Sequence, residues 1–248
     1  MHCLLLNRHR EWIPSAACPQ ERIRLDNNEL TRLFAAAGAR HGFDDVKAEF
    51  AAFKEFKVRW TRNYRWATFE VSDYLTDSPP EVMSALANTI FSKILGEDMP
   101  YPDLVCNWLT SDGFVRSKQQ TYIRRFTGFM TDPCGMVRNL EDSRRRLEDR
   151  GLLVRDPDVM MGWIKSGTSR AVGRSSILMK VVAMSTAIDD AEVGEDLFDY
   201  CVFSQLARVG MGYDPVVKRR GAAYDAILSR YPGRKDMEYE LRRLNLHI

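Results

Sequence analysis

One stretch limits the architecture more than any other: residues 194–212, Gly-Glu-Asp-Leu-Phe-Asp-Tyr-Cys-Val-Phe-Ser-Gln-Leu-Ala-Arg-Val-Gly-Met-Gly. Glu195 and Asp196 open it, where a helix N-terminus favours negative charge. Leu197, Phe198, Tyr200, Cys201, Val202, Phe203, Leu206, Ala207 and Val209 then cover nearly the whole circumference. A helix apolar almost all round is buried inside a sizeable domain. Gly210 and Gly212 close it, as glycine does at helix ends. Three polar residues sit in its second half. Ser204 and Arg208 are four apart and share a face, with Gln205 adjacent.

The remaining chain supplies smaller elements around this helix. Residues 1–25 show no clear period, and Pro14, Ser15 and Pro19 predict an irregular lead-in. Asp26 with Glu29 three residues on, then Leu30, Leu33, Phe34 and Ala37, predicts a capped helix stopped at Gly38. Val46, Phe50 and Phe53 have helical spacing and predict a second helix opened by Asp44 or Asp45. Residues 57–60 and 68–72 alternate and are rich in β-formers, so they predict strands. Ser78-Pro79-Pro80-Glu81 reads as a capping box leading a helix to Gly96. Helices are expected over 102–109, 114–129, 140–150, 224–231 and 236–244, and strands over 163–165 and 177–184.

Asp132-Pro133-Cys134-Gly135 is the best candidate boundary, dividing the chain into 1–132 and 133–248. A repeat is visible across it. Val71-Ser72-x-x-Leu75-x-Asp77 leads to Phe91-Ser92-Lys93-Ile94, and Met184-Ser185-x-x-Ile188-x-Asp190 leads to Phe203-Ser204-Gln205-Leu206. Tandem duplication of a strand–helix unit would produce this, with a degenerate copy at 57–95. Two unrelated units obeying the same patterning rules would as well.

Charge and cysteine content narrow the classes. Net charge is +2, which predicts neither a nucleic-acid coat nor an acid-binding surface for the whole chain. No apolar run reaches the roughly 18 residues needed to cross a bilayer. The first ten residues are too polar for a signal peptide. Five scattered cysteines without a C-x-x-C pair fit reduced thiols, so a cytoplasmic protein is expected.

The C-terminal half resembles the YgjP/SprT-like zincin metallopeptidases, particularly their archaeal relatives. Arg170-Ala171-Val172-Gly173-Arg174-Ser175-Ser176 looks like the family's basic R-x-x-G-x-[SC] element before a core strand, and 177–185 resembles that strand. Residues 200–208 sit where the H-E-x-x-H metal helix sits. Arg220-Gly221-Ala222-Ala223-Tyr224 resembles the third-ligand element, and Tyr231-Pro232 with residues 240–244 resembles the close. The resemblance covers about residues 160–248, and 57–95 through the repeat. It implies an α+β, zincin-like fold with a small mixed sheet packed by helices.

The family's chemistry does not follow. Its histidine positions are Ser204, Arg208 and Arg220 here, and its glutamate position is Gln205. Zinc takes imidazole, thiolate or carboxylate donors. Arginine has no usable lone pair and stays protonated, and glutamine cannot serve as a general base. No catalytic residue, metal ligand or cofactor is therefore expected. The leading expectation is a non-catalytic, metallopeptidase-like protein that binds a protein partner or ligand. Arg170, Arg174, Lys218 and Arg219 are candidate anion or partner contacts. The glycine- and hydroxyl-rich loop at 166–176 reads as a turn between strands or as an anion cradle.

Two rival readings remain. One is a basic RNA- or ribosome-associated module, with Lys118, Arg124 and Arg125 beside Tyr122 and Phe126 as candidate nucleic-acid contacts. The other is an active metallopeptidase with relocated ligands. His2, Cys3 and His9 form a sparse cluster that reads as a surface group or as a metal site.

Overall fold

In a computed structural model the described residues are 24–165, 170–213 and 217–248, with side chains described in the last segment from 221 onward. The lead-in, the His2, Cys3 and His9 cluster, residues 166–169 and the side chains of Lys218, Arg219 and Arg220 lie outside them. Eight α-helices and two small mixed sheets make an α+β protein among the described residues. No helix among them is long and apolar enough to cross a membrane.

The first sheet contains β1 (Asp45–Ala51), β2 (Val58–Arg62) and β3 (Trp66–Ser72) in the order β1-β3-β2. The second contains β4 (Phe129–Met130), β5 (Met160–Ile164), β6 (Gly173–Ser176) and β7 (Val181–Ser185) in the order β4-β5-β7-β6. The helices are α1 (Asn27–Arg40), α2 (Pro80–Ile94), α3 (Asp103–Leu109), α4 (Asp112–Arg125), α5 (Leu140–Asp149), α6 (Glu195–Gly210), α7 (Val217–Leu228) and α8 (Arg234–Arg243).

The two sheets are embedded in the same sequence of elements. Around the first run α1, β1, β2, β3, a 3-10 turn at Asp73–Leu75, and α2. Around the second run α5, β5, β6, β7, a 3-10 turn at Thr186–Ile188, and α6. In each trio the first strand is parallel to the third, and the second is antiparallel to the third on its other side. The turns start one residue after Ser72 and Ser185, the serines aligned in the sequence repeat. Leu75 and Ile188, and then Phe91 and Phe203, are buried at matching places.

Each sheet has its own hydrophobic cluster. The first gathers Phe34, Phe43, Phe69, Leu86 and Phe91, with Phe69 meeting Phe91 at 5.1 Å between ring centroids. The second gathers Trp163, Phe198, Phe203, Val182 and Tyr231, with Phe203 and Tyr231 at 5.4 Å. The division is not a clean cut at 132–135. Met179 and Val181 belong to the first cluster, and β4, which precedes the boundary, pairs with β5.

Several local expectations are corrected. Residues 45–51 form a strand, not a helix. Val46, Phe50 and Phe53 do have helical spacing, but Val46 and Ala48 alternate inward, and in-register pairing with β3 satisfies the backbone. The capping box at Ser78 does not form: Pro79 occupies the cap position, and no side chain caps the helix. The apolar run 177–184 divides into a turn and β7, with Lys180 at φ 50° between them. Part of the hydroxyl-rich loop, Gly173–Ser176, is a strand.

One edge of the first sheet is closed by two side chains of α1. Thr31 on α1 donates its hydroxyl to the Ala48 carbonyl at 2.7 Å and accepts the Ala48 N–H at 3.0 Å. Asn27 accepts the Phe50 N–H at 2.9 Å. These bonds satisfy backbone groups that an edge strand otherwise leaves open.

Candidate functional site

The helix that dominates the sequence is α6, and twelve of its sixteen residues are buried. Burial on this scale needs cover from several sides. The second sheet, α5, α7 and α8 supply it. Cys201 is fully buried, and burial alone raises its thiol pKa, so it packs as an inert hydrophobe.

Ser204, Gln205 and Arg208 stand together on this helix, but they do not line an open cleft. Ser204 and Gln205 are fully buried. The Ser204 hydroxyl donates back to the Cys201 carbonyl at 2.7 Å, one helical turn earlier. Gln205 donates from Nε2 to the Ser204 oxygen at 3.4 Å, and its Oε1 has no partner. The space beside it is filled by β6: a Cβ on Gly173 would lie 3.3 Å from Gln205 Cγ and 2.8 Å from the Ala183 carbonyl. Glycine at 173 lets the strand approach the helix this closely.

Arg208 is half-buried, with its guanidinium 4.8 Å from the centre of the Tyr224 ring. Tyr224 comes from α7 and donates its hydroxyl to the Ser204 carbonyl at 3.1 Å. A guanidinium on an aromatic face is a favourable cation–π arrangement. Asp225 and Glu240, the nearest acids in sequence to the third-ligand and closing elements, are engaged elsewhere. Asp225 pairs with Arg234 at 2.6 Å and Glu240 with Arg243 at 3.2 Å.

A zinc ion does not fit this donor set. Ser204 offers a hydroxyl committed to the backbone, Gln205 a weak amide oxygen, and Arg208 a permanent positive charge. Among the described residues no cluster of three or more His, Cys, Asp and Glu side chains has metal-binding geometry.

The other candidate cations are dispersed. Arg170 is exposed and donates to Asn245 Oδ1. Arg174 is exposed on β6, on the strand face opposite Gly173 and Ser175, so it does not join Arg208. Lys118 is mostly buried and pairs with Asp77 at 2.7 Å. Arg125 makes a two-pronged pair with Asp73, at 2.6 and 2.5 Å, and stacks over Tyr74. That bond to Asp73 raises the arginine pKa further. Arg124 is exposed and contacts Thr121. Two of the three candidate nucleic-acid contacts are therefore ion-paired to the chain's own acids.

Two polar arrangements escaped the sequence reading. Asp199, inside the apolar stretch of α6, is buried and accepts from Ser143 at 2.6 Å and from Arg146 at 2.9 and 2.6 Å. A lone acid in an apolar helix gave the only signal. Asp189 accepts three consecutive backbone N–H groups, from Met136, Val137 and Arg138, at 2.6–2.9 Å. Gly135 is needed beneath it, because a Cβ there would meet the carboxylate at 2.4 Å. Such a run of N–H groups is a nest for negative charge, and here the chain fills it. No sequence pattern marks it.

Comparison with protein-family models, with curated proteins and with solved structures found no match for this chain.

Proposed function

We propose that the chain is a catalytically inactive, zincin-like protein, a degenerate relative of the YgjP/SprT-like family, that acts by binding a partner or ligand. The observation that carries this reading is the packing around α6. Ser204 and Gln205 lie sealed under β6, and Arg208 rests on Tyr224. Where a zincin holds metal and water, this helix holds a hydroxyl, an amide and a guanidinium. Contact with a partner then falls on Arg208 and Tyr224, the half-buried members of the group, and on the exposed Arg170.

The matching order of elements and strand directions around the two sheets supports a tandem duplication of one zincin-like unit. Reduced thiols fit a cytoplasmic setting: Cys106, Cys134 and Cys201 are free.

The test is elemental analysis of protein purified without chelator or affinity tag, beside the variant Ser204→His/Gln205→Glu/Arg208→His/Arg220→His. Stoichiometric zinc in the unaltered chain overturns the inactive reading. Zinc in the variant alone supports it, since the scaffold then retains the geometry and lacks the ligands. Absence of zinc from a folded variant counts against the zincin likeness.

A further inference from the structure

The first sheet has one closed edge and one open edge. Thr31 and Asn27 close β1. On the far side, β2 pairs with β3 through Ser72 N–H to the Lys57 carbonyl and Asn63 N–H to the Trp66 carbonyl. With Val58 opposite Val71, the bonded pairs fall on Lys57, Arg59, Thr61 and Asn63. Val58, Trp60 and Arg62 then turn their N–H and C=O groups outward, and no described residue pairs with them. Residues 59–62 are exposed.

Beneath this edge lies a cavity of about 290 Å³, lined by Val58, Trp60, Leu86, Ile90, Tyr101 and Leu109 among others. Val58 and Trp60 share the face that carries the buried Val71 and Phe69 on β3. A strand laid along β2 would therefore point alternate side chains at the cavity.

Charge indicates the occupant. Residues 57–66 carry Lys57, Arg59, Arg62 and Arg65 and no carboxylate. Arg59 pairs with the half-buried Glu70 and Arg65 with the exposed Asp44; both guanidinium groups are mostly exposed, and such pairs are weak and easily exchanged. A nucleic acid fits less well. Trp60 and Trp66 lie on opposite faces of the sheet and offer no shared stacking platform.

We propose that β2 is a docking edge for an extended, acidic segment of a partner protein. The segment adds as a fourth strand on Val58, Trp60 and Arg62, sets an apolar side chain in the cavity, and meets Arg59 and Arg65 with its acids. This surface is separate from the α6 site and does not depend on how that site is read.

A random-peptide phage library selected on the full chain tests this. Enriched peptides should alternate acidic and apolar residues. Arg62→Gln removes the Arg62 charge alone, whereas Arg62→Pro removes that charge and one outward N–H without touching the ladder to β3. Arg62→Pro should bind a selected, dye-labelled peptide about tenfold more weakly than Arg62→Gln does in fluorescence anisotropy, the scale of one backbone hydrogen bond. Peptide binding should also slow amide exchange at Val58 and Trp60, a readout that does not depend on the variant. The proposal fails if no acidic pattern is enriched, if protection appears elsewhere, or if folded Arg62→Pro binds as tightly as Arg62→Gln. It fails also if single-stranded oligothymidine, and not peptide, protects these amides.

Discussion

Asp199→Ala should be among the most damaging single substitutions in the second core. The carboxylate is nearly inaccessible and takes three hydrogen bonds from α5. Removing it strands the fully buried Ser143 hydroxyl, at about 1–3 kcal/mol for an unsatisfied buried group. It also leaves the Arg146 guanidinium without its main partner. Breaking a buried ion pair costs about 3–5 kcal/mol. Arg146 is 35% exposed and also reaches Glu195 at 3.2 Å, so water and Glu195 offset part of that. The two losses overlap, and about 3 kcal/mol is expected in all. Urea unfolding followed by far-UV circular dichroism gives the value, with amide exchange on α5 locating the loss. Asp199→Asn, which keeps an oxygen for Ser143, should lose less. A double-mutant cycle with Arg146→Met isolates the pair. A loss below about 1 kcal/mol for Asp199→Ala would refute the view that this acid ties α5 to α6.

Phe203→Ala should cost about 3–5 kcal/mol, because a fully buried ring against Tyr231 leaves a cavity; a small loss in urea unfolding would mean α6 is not a core helix. Gln205→Met removes a buried oxygen without a partner and should be neutral or stabilising by about 1 kcal/mol; a clear destabilisation would show that a donor occupies that spot. Gly162→Ala should detach β4, since a Cβ would fall 2.2 Å from the Met130 carbonyl; unchanged exchange at Met130 would contradict this. Burial alone would raise the Asp156 pKa, but Lys180 at 2.9 Å and the Asp158 N–H outweigh it and hold the carboxyl below its ordinary value. Its stabilisation is thus present above the unfolded pKa near ~4 and is lost as pH falls through the folded value. Lys180→Met should flatten that acid limb, as read by urea midpoints between about pH 5 and pH 2.

The central helix was legible because its signal is collective: nine apolar residues round one cylinder, acids first and glycine last. The similar strand–turn–helix order around the two sheets was legible through serines and phenylalanines at nearly equal spacing, 19 residues apart in the first and 18 in the second. Strand β1 was misread because three apolar residues satisfied a helical period, and the deciding fact, its pairing with β3, is non-local. Asp199 and Asp189 were opaque for a related reason. One polar residue says nothing about the Ser143, Arg146 or loop N–H groups folded against it from some fifty positions away. The sealing of Ser204 and Gln205 depends on the approach of β6 at Gly173, which neither residue encodes.

Thr31 gives the first sheet a direction of growth. Its hydroxyl serves Ala48 as both donor and acceptor, so a strand arriving at β1 must first dislodge a helix. The sheet behaves like a filament with one end stoppered. Lengthening, whether by a partner, by exchange between copies or by misassembly under stress, is channelled to β2. Thr31→Val together with Asn27→Ala would unstopper the other end, and the change to look for is stoichiometry: a sheet that took one added strand could then take two.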